Sequence, residues 1–404
     1  MNNIIYVDLN SCFATVEQQA RPRLRYKPVA ITNRLVPNSC IIAASYEAKA
    51  CGIKVGTRRA EALELCPNII FAETEPSKYI YVHHKFRQIL ESYSANVAMK
   101  SIDEGVIDLN SSPDHRPATT IGREIKQRLK DEIGCYMRCN VGIASNRFLA
   151  KLAAGLHKPD GLDEITKDNL LKVYSSLTLL DLPGINVRME RRLNSVGIFT
   201  PLDFYHASED ILVKMVCRSI NGTKWYQRLR GIEVDDVDYG IKSIGREYVL
   251  DGRGLPASEI EKRLLHLAED VGYRLRSKGM WARGIMVWGR SYHGDSYKKH
   301  CLSTAAFNTD EAILTITRQL FKNMPKDVRV IGVTLYKIQP HENREVSLFY
   351  KEVERSARLC QAEDSINNRF GPRTIHRAST LGTDQVKAKI PFGSTRYLDK
   401  FLSG

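Results

Sequence analysis

The sequence predicts an α+β protein of several domains, and three observations lead there. Over the first 165 residues, short apolar strands alternate with helix-forming runs in the order βα…βββαβα, the pattern of a ferredoxin-like unit. A helix-rich stretch follows, and a self-contained βαββαβ unit then occupies 242–340. At 404 residues and 45.8 kDa the chain also exceeds one typical core.

The first element is the apolar strand Ile4-Ile-Tyr-Val-Asp8, which delivers a carboxylate at its C-terminal tip. Asn10 or Ser11 is the natural N-cap of the helix that begins at Cys12. A metal-ligating acid thus stands beside a helix N-terminus with free amide groups, which suits a magnesium-bound triphosphate. Residues 27–75 hold the strand Pro28–Ile31, the run Cys40–Ala44, and a short helix over Ser45–Cys51 stopped by Gly52. Tyr46 and Lys49 lie three apart and share a face of that helix. Two readings are open for them, a phosphate clamp and an ordinary surface pair.

A helix is expected at 77–95 and a strand near 96–100, leading into Ser101-Ile-Asp-Glu-Gly-Val-Ile-Asp-Leu109. Asp103 and Glu104 are adjacent, and on a regular strand they would face opposite ways. Serving one site requires a bend, which Gly105 is expected to supply as a bulge or hairpin corner. If this strand pairs with the first, three carboxylates converge, enough hard oxygen for two Mg²⁺ ions. For the dipeptide alone, a solvated turn is the competing reading. A helix at Ile121–Glu132, a strand at Asn140–Ser145 and a helix at Asn146–Gly155 complete the unit.

Leu182-Pro-Gly-Ile-Asn186, with Val196-Gly-Ile198 after a helix, has the pattern of a helix-hairpin-helix whose turn amides grip a phosphate. An ordinary αα-hairpin fits the same residues. Residues 232–240 contain no Lys or Arg and read as a linker. In the βαββαβ unit, strands are expected near 242–250, 281–291, 298–308 and 328–339, with helices near 257–278 and 310–323. Ser258 and Glu261 are spaced as a capping box for the first helix, and Gly279 closes it. Over 241–300, 12 Lys+Arg against 7 Asp+Glu are interleaved with Tyr273, Trp281, Trp288, Tyr292 and Tyr297. A basic sheet with aromatics suits nucleic acid, while the tryptophans also fit a core.

Charge narrows the function classes. The 60 Lys+Arg exceed 46 Asp+Glu by 14, which favours a polyanionic partner. No hydrophobic run has transmembrane length and no signal peptide is evident, so membrane binding loses ground to nucleic acid. Nine scattered cysteines suit a reducing compartment, and Cys135-x3-Cys139 has no second ligand pair to make a zinc site. A cytoplasmic, nucleoid-associated protein is expected.

These motifs together resemble the Y-family, translesion DNA polymerases of the bacterial polymerase IV and V type, over 1–340. The resemblance rests on Val7-Asp-Leu-Asn-Ser-Cys-Phe-Ala-Thr-Val-Glu17, Ala44-Ser-Tyr-Glu-Ala-Lys49, Ser101-Ile-Asp-Glu104 with Asp108-Leu109, Gly142-Ile-Ala-Ser-Asn146 running to Lys158-Pro-Asp-Gly161, and Leu182-Pro-Gly-Ile185. It implies a right-hand polymerase with a ferredoxin-like palm (1–18 and 76–165), small fingers (19–75), a helix-hairpin-helix thumb (166–231), a linker (232–241), a little finger (242–340) and a tail (341–404). It also implies template-directed, low-fidelity addition of dNTPs to a primer 3′-OH, with damage bypass and repair as the setting.

By the same resemblance, Asp8, Asp103 and Glu104 hold two Mg²⁺ ions, for which Mn²⁺ substitutes, and the Leu9 carbonyl adds a ligand. Tyr46, Lys49 and Lys158 fall on the family's triphosphate contacts, which resolves the surface-pair question towards function. Phe13 falls on the steric gate against ribonucleotides. Gly184 and Ile185 in the thumb, with Lys242 and Arg246 in the little finger, are DNA-contact candidates. Glu345-Val-Ser-Leu-Phe349, through Leu348 and Phe349, resembles a sliding-clamp docking motif but begins with Glu where Gln is usual. Lys49 stands where many members have Arg, giving a point charge in place of a bidentate fork. A monomer acting on primer-template DNA is expected, with accessory subunits possible. The alternative is a non-catalytic or accessory-dependent DNA-binding subunit of the polymerase V type.

Overall fold

The protein is described by a computed structural model covering residues 3–36, 38–110, 112, 115–237, 240–250, 252–325, 327–340, 350–383 and 386, with backbone alone for 350–354. The chain divides into two compact units, one through Val237 and the other after it.

In chain order the first unit contains β1 (Ile4–Leu9), α1 (Cys12–Ala20), β2 (Val29–Thr32), β3 (Ile41–Ala44), α2 (Tyr46–Ala50), α3 (Arg59–Leu65), β4 (Ile70–Glu73), α4 (Pro76–Glu91), β5 (Val97–Met99), β6 (Glu104–Asp108), α5 (Ala118–Glu132), β7 (Cys139–Ala144), α6 (Arg147–Leu156) and β8 (Leu162–Glu164). Five of these strands form one sheet in the order β5-β6-β1-β7-β8, so the first strand of the chain is its centre. Strand alternation explains the two apolar sets. Ile5, Val7 and Leu9 join the core under α1, α4 and α5, while Ile4 and Tyr6 pack with Phe148 and Leu152 of α6. A second, three-stranded sheet in the order β3-β2-β4 closes over Ala48 and Ala62.

The helical stretch contains α7 (Leu170–Ser175), α8 (Val187–Asn194), α9 (Pro201–His206), the single turn α10 (Glu209–Ile211) and α11 (Asn221–Leu229). Its buried side chains, among them Leu193, Phe204 and Trp225, share a core with α6. Gly184 and Gly197, at the two turns flanking α8, have φ of +90° and +82°, which favour glycine.

The second unit contains β9 (Ser243–Val249), α12 (Ala257–Arg276), β10 (Met280–Ser291), β11 (Ser296–Phe307), α13 (Asp310–Phe321), β12 (Val328–Pro340) and α14 (Tyr350–Phe370). Its antiparallel sheet has the order β11-β10-β12-β9. Helices α12 and α13 cover one face, burying Leu264, Ala268, Val271 and Ile313 against Ile285, Val287, Ile331 and Val333. The βαββαβ reading holds for this unit to within a few residues at each element. Helix α14 was not foreseen. Among its residues with described side chains, Cys360 is the only buried one, and polar links fasten the rest. Arg276 of α12 bridges Asp310 at 2.6 Å and Asp364 of α14 at 2.7 Å, and Tyr273 donates to Asn368.

Two local expectations are corrected and a third is met without its side-chain bond. Gly105 makes no bulge: it pairs in regular register with Val7 and Met99, and the bend lies earlier, at 101–103. The glycine is there for packing, since a Cβ would stand 2.3 Å from Leu90 Cδ1. The Ser258–Glu261 capping box is absent, because α12 starts at Ala257 after Pro256 and places Ser258 inside the first turn. Ser11 does occupy the N-cap of α1, but at φ 46° its side chain makes no cap hydrogen bond.

Candidate active site

Antiparallel pairing sets the acids. Asp8 lies directly opposite Glu104, and cross-strand partners share a face of the sheet. That face is the one Tyr6 occupies, towards α6. Asp103 has the opposite parity, yet it sits in the bend just before β6, and the Leu9 amide donates to its carbonyl at 2.9 Å. The Leu9 peptide therefore lies against the Asp103 peptide, between the two acid-bearing segments.

Each carboxylate has its own partner. Lys158 is ion-paired with Asp8. Lys151 of α6 donates to both Glu104 oxygens, at 2.9 and 3.1 Å, and Tyr6 Oη donates to Oε2 at 2.9 Å. Ser101 Oγ donates to Asp103 Oδ1 at 2.6 Å. Burial pushes the Asp8 carboxyl above the usual range, with Lys158 opposing it. Asp103 is also raised, first by burial and further by the charges of Asp8 and Glu104, against the Ser101 hydrogen bond. Tyr6 is held protonated, chiefly by burial and then by the Glu104 charge. These acids are costly to keep ionised without added positive charge, and the donor set is all hard oxygen. It fits a divalent cation of the magnesium class, with the lysine ammoniums standing in for it.

Next to the acids is a group of donors. Lys49 Nζ donates to Ser11 Oγ at 2.8 Å and lies 4.6 Å from the Tyr46 ring centroid. The Tyr46 hydroxyl is pushed up to about 12 by burial and the Asp8 charge. Burial lowers Lys49, the nearby Lys158 charge lowers it further, and Asp8 opposes both. Lys158 is placed by a buried asparagine pair. Asn10 donates to Asn140 at 2.8 Å and accepts the Asp160 amide at 2.8 Å, while Asn140 donates to the His157 carbonyl at 2.9 Å. Phe13 is buried, and its ring stacks on Tyr79 at 4.2 Å and 21°. Tyr79 in turn donates to the buried Glu17 at 3.1 Å.

Behind Glu104 opens a cleft of about 400 Å³ lined by Tyr6, Lys100, Arg147, Lys151, Gly184 and Arg228, among others. Gly184 thus faces the acid-bearing side of the unit. Ile185 is turned inward: its side chain is in the core and its amide donates to Leu182 at 3.1 Å.

In the second unit the open sheet face carries Trp288, whose ring lies over Gly332, and Tyr336, whose ring lies over Gly284. Lys298, His300 and Arg290 are exposed there. Trp281 is buried. Lys242 is exposed just before β9. Arg246 is a correction. It shares parity with buried Ile244 and Tyr248, so it points under α12, is ion-paired with Asp270 and has a side chain only 9% exposed. Leu348 and Phe349 lie outside the described residues.

Sequence reasoning missed Tyr6, Ser101, Asn140 and Lys151. For Lys151 a signal existed: it is the one charge within the apolar run Phe148–Leu156.

Comparisons with known proteins fall on the same segments. The profile of the impB/mucB/samB family matches residues 7–155, and that of the family's C-terminal domain matches 241–348. The DNA polymerase IV of Moorella thermoacetica is 35% identical over 395 residues, spanning 94% of this chain and 96% of its own. That of Pelotomaculum thermopropionicum is 31% identical, spanning 94% and 95%. The DNA polymerase IV of Staphylococcus aureus (strain JH9) is 27% identical, spanning 86% and 98%. Two solved structures share the fold. A Dbh-based Y-family DNA polymerase chimera has a TM-score of 0.72 at 23% identity, over 84% of this chain and 99% of its own. A Dbh DNA polymerase in an insertion ternary complex has a TM-score of 0.58 at 22% identity, over the same shares.

Proposed function

Because the chain belongs to the Y-family DNA polymerases of the bacterial polymerase IV type, and so is a metal-dependent translesion DNA polymerase, we propose that Asp8, Asp103 and Glu104 are its catalytic carboxylates. The observation that carries this is the β1–β6 register, which sets Asp8 opposite Glu104 with Asp103 in the adjoining bend. These acids would hold Mg²⁺, or Mn²⁺ in its place, with the Leu9 carbonyl as a further ligand. When bound, such ions polarise the attacking and leaving oxygens of an in-line phosphoryl transfer.

The chain's own groups do the rest. Lys49, Tyr46 and Lys158 present donors to the triphosphate of a dNTP, and the Asn10–Asn140 pair fixes the loop that carries Lys158. Phe13, backed by Tyr79, blocks the place of a ribose 2′-OH by its bulk. Of Ala43, Ala44 and Ser45, the last two are buried in the core of the small sheet, so Ala43 alone would stand over the nascent pair, with little side chain to test its geometry. Low fidelity and lesion tolerance are expected from that.

Primer-template DNA would lie along the Gly184 turn in the first unit. In the second it would lie on the open sheet face, through Lys298, His300, Arg290 and Lys242. The palm, fingers, thumb and little finger are assigned as the resemblance draws them, and the unit boundary after Val237 falls within the 232–241 linker. Clamp docking through Leu348 and Phe349 is proposed on sequence alone.

The test is primer extension by the purified chain with Mg²⁺ and dNTPs, on intact and abasic templates, beside Asp103→Ala. Extension by wild type alone, including opposite the abasic site, is expected. Full extension by Asp103→Ala would overturn the site. Retained DNA binding without extension by either protein would point to a required accessory subunit.

A further inference from the structure

Glu104 differs from the other two acids in how it is held. Both of its oxygens accept from Lys151, and Oε2 also accepts from Tyr6. Among the described residues, Asp103, by contrast, has a single side-chain donor, the Ser101 hydroxyl. A carboxylate has about four lone-pair sites, so three of those of Glu104 are already taken by this chain's own donors. The Lys151 side chain is 41% exposed and borders the cleft, so its ammonium has somewhere to go. Tyr6 sits within the sheet and has not.

We propose that Lys151 is a built-in, displaceable counter-cation that competes with the divalent metal for Glu104. In the metal-free protein its ammonium offsets the repulsion among three neighbouring carboxylates and keeps Glu104 turned to the site. On loading, the ion takes the Glu104 oxygens and the ammonium swings into the cleft. There it joins Lys100, with Arg147 and Arg228 paired to Glu233 and Asp235, beside a space that a backbone phosphate of the primer would enter. Lys151 is thus a positioning residue that makes metal loading and primer occupancy mutually supportive, since a phosphate in the cleft gives the displaced ammonium a partner. The proposal rests on Glu104 being a metal ligand.

The experiment titrates Mn²⁺ alone into the DNA-free full chain, reading free Mn²⁺ by electron paramagnetic resonance and thermal unfolding with EDTA or Mn²⁺. Lys151→Met should bind Mn²⁺ roughly two- to fivefold more tightly than wild type, the worth of a half-exposed ion pair. Its Tm in EDTA should fall, and its gain on adding Mn²⁺ should exceed that of wild type. Lys151→Arg, which keeps the charge, should stay near wild type. Lys100→Met removes an equal charge from the same cleft but not from Glu104, so it should shift affinity less. Unchanged or weaker Mn²⁺ binding by Lys151→Met, or an equal effect of Lys100→Met, overturns the proposal. Glu104→Gln separates the layers. If it leaves Mn²⁺ binding intact, the ligand assignment fails. If it weakens binding while Lys151→Met changes nothing, the counter-cation role alone fails.

Discussion

Two clusters of buried charge, one in each unit, are built on opposite principles. At Asp8, Asp103 and Glu104 the negative groups gather, and the lysines that answer them, Lys158 and Lys151, are 39% and 41% exposed and held by flexible stems. At Arg276 the arrangement is closed. One guanidinium, 6% exposed, is gripped by Asp310 and Asp364, which are 10% and 16% exposed. Asp310, Cys360 and Glu363 come close enough together to look like a metal site, yet Arg276 already supplies the cation. Acids near one another are therefore poor evidence of function by themselves. What separates the two clusters is whether the countercharge is locked into the packing or can leave.

The largest effect that would test this contrast is at the open cluster. Asp103→Asn should cut primer extension by roughly 10⁴-fold or more, while the metal-free protein unfolds at the same temperature or higher, because a raised, buried acid has been neutralised. A marked fall in Tm would mean that the cluster is structural after all. At the closed cluster, Arg276→Met should cost about 3–5 kcal/mol in urea unfolding, since buried Asp310 and half-buried Asp364 lose the cation they share. A loss under 1 kcal/mol would sink the description of a locked pair.

Acid should also act on the units with opposite sign. His266 is held down to about 3, chiefly by burial, with the charges of Arg373 and Arg246 adding to it. Its ring accepts or donates to Thr383 at 2.7 Å, and Asp270 beside it is already engaged by Arg246. The unfolded chain binds a proton there below pH 6.5 and the folded chain does not until about pH 3, so stability falls as pH drops through that window. Between pH 6.5 and 5 the loss is on the order of 2 kcal/mol, read as a pH-dependent unfolding slope that His266→Phe flattens. Asp8 and Asp103, raised by burial, work the other way. Their contribution is complete below the ordinary aspartate range and is lost as pH rises through their raised folded values. The smallest effect serves as a baseline: Arg87→Ala, breaking the exposed 2.6 Å pair with Glu91 on α4, should change stability by less than about 0.5 kcal/mol.

Most of the element order was legible, because strands such as Ile4–Asp8 are short apolar runs and helices such as α12 carry a period of 3.6. The three acids were legible as residues, and their meeting was legible only as a condition on strand pairing. Local rules failed where packing overrode them. Gly105 was placed by its closeness to Leu90, not by backbone need, and Ser258 was one residue too far inside its helix to cap it. Arg246 was misplaced because a count of positive charge ignores strand parity, which turns that side chain towards α12. Lys151 was missed because the one charge in the apolar run Phe148–Leu156 gains its meaning only once the strand opposite it is known. The tail helix was missed although Tyr350, Val353, Ala357 and Cys360 fall at helical spacing, and among its described side chains polar links hold it more than burial does.

The central place of β1 has a consequence for how the enzyme comes into being. Its residues leave the ribosome well ahead of their partners, since they pair with Glu104–Asp108 and Cys139–Ala144. At roughly 5–20 residues per second, a strand of the composition Ile-Ile-Tyr-Val waits about five to thirty seconds for its neighbours. During that interval it is an unpaired apolar segment, and chaperone capture of the nascent chain should centre on it. The half-made chain also lacks the proposed site, because Asp8 acquires Glu104 as a neighbour only when β6 pairs with β1.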